Sequence, residues 1–144
     1  MNPSHPEQEA YHELSYYTLA HTDPNFIHQH IVDAFAAQTA DKDAKPIRIA
    51  FALIGLYLYV EKNYTGRQVQ LTHMTLANRR KEWPKFALPE FRGEITVADV
   101  LREPPGEKRD AMICAWCDSV WQAYRECHQQ IAALVQRELW GSKD

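Results

Sequence analysis

Apolar residues recur at intervals of three and four along almost the whole chain, which is the spacing of one face of an α-helix. In the first segment, for example, Ala10, Leu14 and Tyr17 fall on one such face. The pattern predicts helices over residues 6–21, 24–39, 46–63, 66–82, 97–102 and 107–139. No two segments show the alternating pattern of paired strands. The chain is therefore expected to be a single all-α domain over residues 1–144, a bundle of about five to six helices with residues 1–6 as a flexible tail.

Local signals mark where several of these helices begin. Asp23 is a favoured N-cap for the second helix, and Pro46 suits a first helical position because proline has no N–H to leave unpaired. Thr65 and Gln68 have the spacing of a capping box, and Thr96 can cap the short helix that follows it. Over residues 46–63 apolar side chains occur on nearly every face. Such a helix is expected to lie at the centre of the bundle.

The last predicted helix, over residues 107–139, contains no proline or glycine. At 1.5 Å per residue it would be about 50 Å long, roughly twice its neighbours. Its apolar residues form a heptad-like seam, which consists of Ile113, Trp116, Val120, Tyr124, Cys127, Ile131 and Leu134. A helix of this length must span the bundle, bend, or project and meet a second copy of the chain.

Composition and charge argue against several classes of protein. The net charge of −3 argues against a dedicated nucleic-acid binder. The longest apolar run covers residues 49–60, which is short of the roughly 20 residues of a membrane span. The N-terminus shows no export signal, and the three cysteines are an odd number, so we expect reduced thiols in the cytoplasm.

Two of the seven histidines fall at a matching level in the predicted bundle. If the first four helices alternate in direction, His30 and His73 both lie roughly 10 Å from the same end. Counting residues from the loops at that end also brings Tyr57 and Glu13 to this level. Asp33 lies one turn from His30 on the same helix. The sequence thus predicts a polar layer inside the bundle.

Such a layer has three interpretations. Helical bundles hold metal ions with histidines and carboxylates from facing helices, and imidazole favours zinc, iron, nickel or copper. In this interpretation His30, His73 and Asp33 bind zinc or another transition metal, with His21 or His128 as a further ligand. Alternatively, Asp33 does not bind the metal itself but accepts a hydrogen bond from the His30 imidazole and so fixes its tautomer. The alternatives are core histidines paired within the protein, which is the commoner case, and acid–base chemistry without a metal.

Cys114 and Cys117 form a CxxC motif inside the last predicted helix. Redox proteins place this motif at the start of a helix, where the dipole lowers the pKa of the first thiol. A position well inside a helix instead favours buried, unreactive cysteines. A thiol redox function is therefore the least favoured interpretation.

Several strings resemble a bacterial family of conserved hypothetical proteins known only as a domain of unknown function. They are HQHIVDAFAAQ, FALIGLYLYVEKNYTGRQVQLTHM and RGEITVADVL, and the resemblance spans about residues 11–134. The family pattern includes a His-x-x-Asp element, here His30 and Asp33, and a Thr-Gly-Arg-Gln turn, here residues 65–68. Some relatives carry an N-terminal cysteine pair that this chain lacks. The resemblance implies an all-helical fold and brings no activity.

These observations predict a cytoplasmic helical-bundle protein that binds a transition metal, with a hydrolase- or transferase-like enzyme as one form of that function. The alternative is a non-catalytic interaction protein that self-associates as a homodimer through its long C-terminal helix. Neither interpretation names a substrate or a small-molecule ligand.

Overall fold

The computed structural model describes residues 5–20, 23–79 and 82–141. Over these residues the chain is all-α, as predicted, with seven α-helices, one 3₁₀ turn and no strand. The helices are α1 (His5–Ala20), α2 (His28–Thr39), α3 (Pro46–Lys62), α4 (Gly66–Ala77), α5 (Val97–Arg102), α6 (Glu107–Ala123) and α7 (His128–Leu139). Residues 1–4 of the predicted tail lie outside the described part, and α1 already includes residues 5 and 6.

Helix α3 lies at the centre of the fold, where α2, α4, α6 and α7 all pack against it. Every residue from 49 to 58 is buried except Phe51, which is half-buried. This is the position that its apolar faces predict, because a helix without a polar face must be covered on several sides. None of the described helices combines the length and the apolar character needed to cross a bilayer.

Helix α2 begins four residues later than the sequence suggests, at His28 rather than near residue 24. The Asp23 carboxylate accepts hydrogen bonds from the N–H groups of Asn25 and Ile27, at 3.0 and 2.8 Å, and so closes a turn. Phe26 then adopts a left-handed backbone conformation with φ of 59°, which a right-handed helix cannot include. Asp23 therefore caps a turn before the helix instead of the helix itself.

The two predicted caps that follow are confirmed. The Thr65 hydroxyl accepts a hydrogen bond from the Gln68 N–H, and the Gln68 side chain accepts one from the Thr65 N–H. Thr96 and Asp99 form the same reciprocal arrangement at the start of α5. Helix α4 ends at Ala77, earlier than predicted, where the Asn78 side chain donates to the Met74 carbonyl group and satisfies the helix end.

The prediction of one long C-terminal helix is wrong. The segment divides into α6 and α7, separated by the 3₁₀ turn Arg125–Cys127. At this break His128 donates a hydrogen bond from Nε2 to the Trp121 carbonyl group, at 2.8 Å, and its ring stacks on the Trp121 indole at 3.8 Å. The same carbonyl group also accepts a hydrogen bond from the Tyr124 N–H at 3.0 Å, so the side chain adds a second donor at the helix end.

Because of the bend, the heptad-like seam packs into the core of its own chain. All seven seam residues are at most 5% exposed. The Tyr124 hydroxyl, for example, donates a 2.6 Å hydrogen bond to the Ala37 carbonyl group on α2. The seam that favoured self-association is therefore used within the monomer.

Candidate functional site

A partly buried histidine and a buried aspartate face each other across the central helix. Asp33 is on α2 and His73 is on α4, and the Nε2 atom of His73 lies 3.4 Å from the Oδ1 atom of Asp33. The exposed fractions of the two side chains are 13% for His73 and 5% for Asp33. The sequence predicts both residues in one layer, and the structure brings them together.

Gly55 of α3 makes this approach possible. A Cβ atom at position 55 would lie 1.9 Å from Oδ2 of Asp33 and 3.2 Å from Nε2 of His73. Any side chain at this position would therefore occupy the space of the carboxylate. The glycine sits in the interior of a buried helix, where it costs about 0.5–1 kcal/mol of stability relative to alanine. The close approach of Asp33 and His73 to this position explains why a glycine occurs here despite that cost.

Neighbouring side chains hold both members of the pair. Gln29, one turn before Asp33 on α2, donates a hydrogen bond from Nε2 to Oδ1 of Asp33 at 3.2 Å. The His73 ring stacks on Phe51 with ring centroids 4.9 Å apart and planes 7° apart. Phe51 in turn meets the edge of Trp83. These contacts fix the orientation of the carboxylate and of the imidazole.

Several polar atoms of the pair lack a hydrogen bond. They are Oδ2 of Asp33 and both ring nitrogens of His73. The separation of 3.4 Å between Nε2 and Oδ1 brings the imidazole and the carboxylate together without hydrogen-bond alignment. Burial raises the pKa of Asp33, although His73 and Gln29 partly oppose this. Buried polar atoms without a partner are uncommon, since each costs about 1–3 kcal/mol.

The pair lies at the wall of a cavity of about 490 Å³. The cavity is in the size range of small-molecule sites. Its other lining residues include Tyr11 of α1 and Arg48 of α3, with the Arg48 side chain exposed. A guanidinium group there would attract an anion to a wall that also carries an imidazole.

His30 faces a different cavity. Its ring stacks on Tyr59, with centroids 3.5 Å apart, and it is 4% exposed. Burial lowers the pKa of His30 to about 4, although Asp23 raises it. The cavity that His30 lines, of about 510 Å³, has no residue in common with the one that His73 lines. Joint binding of one ion by His30 and His73 stays a prediction.

The other predicted site residues lie elsewhere. Tyr57 is buried against Trp121 and lines neither cavity, and Glu13 is exposed. His128 is bonded to the Trp121 carbonyl group, and His21 lies outside the described residues. Across residues 5–20, 23–79 and 82–141, no group of three or more His, Cys, Asp or Glu side chains is arranged to hold a metal ion.

The cysteines of the CxxC motif are both free thiols, with Cys114 exposed and Cys117 buried. Burial raises the pKa of the Cys117 thiol well above its ordinary value. A thiol with a raised pKa is a poor nucleophile at neutral pH. This supports the structural interpretation of Cys117.

Three residues around the pair, Gly55, Gln29 and Arg48, are not among the predicted site residues. A signal for the first is present in the sequence, because a lone glycine inside an apolar helix often marks a close approach. Nothing in the sequence singles out Gln29 or Arg48, since polar residues on helices are common.

Comparison with known proteins gives a family and no activity. Residues 4–125 match DUF5946, which is described as a family of unknown function. Neither the curated proteins nor the solved structures include a significant match.

The close approach at Gly55 yields a prediction for stability. Alanine usually stabilises a helix interior relative to glycine, but Gly55→Ala should destabilise this protein by about 1–3 kcal/mol because the new methyl group overlaps the Asp33 carboxylate. Urea unfolding of wild type, Gly55→Ala, Asp33→Ala and the double variant measures the coupling. The loss of unfolding free energy caused by Gly55→Ala should be much smaller when Asp33 is also replaced by alanine. An equal cost in both backgrounds would show that Gly55 does not serve to admit the carboxylate.

Proposed function

The chain belongs to DUF5946, a family of unknown function, and we propose from its own residues that Asp33 and His73 bind a divalent transition metal beside the cavity. Their ligand atoms, one imidazole nitrogen and one carboxylate oxygen, suit zinc and its neighbours in the first transition row. Cavity residues and a bound small molecule would occupy the remaining coordination positions. This gives the arrangement of a catalytic metal site, which keeps positions open.

The observation that carries the proposal is the spacing between one nitrogen of His73 and one carboxylate oxygen of Asp33. Two ligands of one tetrahedral zinc ion, each about 2.1 Å from the metal, lie about 3.4 Å apart. Nε2 of His73 and Oδ1 of Asp33 are separated by 3.4 Å, and Nε2 has no hydrogen-bond partner. An ion between them would also neutralise a carboxylate that is otherwise expensive to bury.

Gln29 is the nearest source of a third protein ligand. Its carboxamide lies 3.2 Å from Oδ1 of Asp33, and the oxygen and nitrogen of a carboxamide can exchange places by a rotation of the side chain. With Gln29 the set contains two strong ligands and one weak one. The affinity of this site for a metal ion would then be lower than that of a structural zinc site, and the bound ion would exchange with solution faster.

A metal at this position would supply Lewis-acid chemistry to a molecule in the cavity. Arg48 would face the negative charge of an anionic substrate. Hydrolysis or group transfer on a small anionic compound is the reaction class that fits these groups.

The metal proposal predicts about one equivalent of bound transition metal, most simply zinc, in protein purified without chelator. His73→Gln and Asp33→Asn should each reduce the content by at least tenfold, as measured by elemental analysis and by Co²⁺ absorption after reconstitution. His12→Gln, at an exposed position of α1, is the matched control and should keep the metal.

His30→Gln tests whether His30 is also a ligand of the metal, as the sequence predicts. Retention of the metal in this variant would restrict the site to Asp33 and His73, whereas its loss would support the predicted layer with His30. Protein that contains no metal and takes up none from zinc or cobalt solutions would contradict the proposal.

A second candidate is proton transfer without a metal, favoured by the pairing of an imidazole with a buried carboxylate. Once the two side chains reach hydrogen-bond alignment, the carboxylate would orient the imidazole as a general base and stabilise its protonated form. In chelator-treated protein His73 should open the ring of 5-nitrobenzisoxazole by removing its carbon-bound proton, and His73→Gln should slow this by about 10²-fold. Equal rates for wild type and His73→Gln would exclude the second candidate.

Self-association is the alternative function, and it stays a prediction. It has less support than the site, because the seam that favoured it is buried within the monomer. Sedimentation at micromolar concentration tests it, and a monomer throughout that range would contradict it.

A further inference from the structure

The cavity on the His30 side has a chemistry of its own. It lies among α1, the turn before α2, the end of α3 and the start of α4, and encloses about 510 Å³. The residues that carry its character are Tyr17, Asp23, His30, Tyr59, Tyr64 and Asp110. None of them takes part in the proposed metal site.

The charged side chains that line this cavity are both carboxylates. They are Asp23 and Asp110, and no lysine or arginine is among the described lining residues. Each carboxylate is anchored by hydrogen bonds, Asp23 to the N–H groups of residues 25 and 27, and Asp110 to the Tyr17 hydroxyl at 2.9 Å. A carboxylate has about four acceptor positions, so both keep capacity for a ligand.

A neighbouring cation, Arg109, is turned away from this space. Its guanidinium lies 4.7 Å from the Tyr17 ring centroid and donates to the carbonyl groups of Glu103 and Leu101, at 3.0 and 3.2 Å. It does not line the cavity. The carboxylates are therefore the charges that a molecule inside would meet.

Three tyrosines contribute the aromatic part of the wall. Tyr17, Tyr59 and Tyr64 all line the cavity, although His30 already covers one face of Tyr59. Rings of this kind attract organic cations through the negative potential of their faces, and quaternary ammonium ions are typically held by several aromatic rings together. Aromatic rings and carboxylates in one cavity are complementary to a ligand with apolar surface and positive charge.

A buried polar atom at the wall also lacks a partner. His30 is 4% exposed, it lines the cavity, and its Nδ1 atom makes no hydrogen bond. Its ring is held against Tyr59, so the imidazole is positioned before any ligand arrives. Leaving such an atom unpaired costs free energy that a hydrogen-bonding ligand, or a water beside it, would recover.

We propose that this cavity binds a small organic cation, an amine or a quaternary ammonium compound. Asp110 and Asp23 supply the counter-charge, Tyr64 and Tyr59 supply aromatic surface, and His30 contributes a polar atom. The site is separate from the metal site and does not depend on it.

The experiment compares cations with neutral molecules of the same shape. Choline is paired with 3,3-dimethyl-1-butanol, which has carbon in place of the ammonium nitrogen, and n-butylamine is paired with n-butanol. Each is titrated into the full chain at 150 mM NaCl and followed by ¹H–¹⁵N NMR. At least one cation should shift cavity resonances and bind at least tenfold more tightly than its neutral partner.

Variants then test whether the cation binds at the carboxylates of this cavity. Asp110→Asn keeps an acceptor for the Tyr17 hydroxyl but removes the charge, and should weaken cation binding about tenfold. Asp118→Asn, at an exposed position two turns further along α6, is the matched control and should bind as wild type does. His73→Gln should also bind as wild type does, which keeps this test independent of the metal proposal.

Several results would overturn the proposal. Among them are equal binding of a cation and its neutral partner, no cavity shifts with either cation, and equal weakening by Asp110→Asn and Asp118→Asn. Shifts of the same resonances by K⁺ or Mg²⁺ alone would show an inorganic cation site instead, and would also reject an organic ligand.

Discussion

The arrangement of this fold depends on the burial of the middle of α3, over residues 49–58. Because this helix has no polar face, it can be stable only when other helices cover it, and α2, α4, α6 and α7 do so. At Gly55, within the buried stretch, the neighbouring helix contributes a carboxylate instead of an apolar group. The same contact that packs α2 against α3 therefore brings Asp33 within reach of His73 on α4.

The geometry of α3 also explains why the predicted layer is only partly correct. Counting residues from the loops gives the level of a side chain along the bundle axis and does not give its direction around the helix. Gly55 and Tyr59 are four residues apart and share one face of α3, whereas Tyr57 lies between them and points to the opposite side. Tyr57 accordingly packs on Trp121, while the shared face receives Asp33 and His30.

Local signals predict the fold well where they act within a few residues. The capping box at Thr65, the cap at Thr96 and the central helix follow from spacing alone, because their hydrogen bonds and faces are properties of short segments. The break between α6 and α7 has no proline or glycine to mark it. It is stabilised by the stacking of the Trp121 and His128 rings across the break and by the hydrogen bond of the Tyr124 hydroxyl to the Ala37 carbonyl group on α2. Such contacts cannot be deduced from periodicity.

The two cavities lie on either side of α2, and each has an unpaired buried polar group in its wall. Asp33 and His73 line one of them and His30 lines the other. Burying polar groups costs free energy that apolar residues of similar volume do not, so packing alone would favour leucine or phenylalanine at these positions. The core of this chain is otherwise strongly apolar, with few buried polar side chains among the described residues. The proposed ligands of the two cavities would offset the cost of these polar groups, which the packing of the fold does not require.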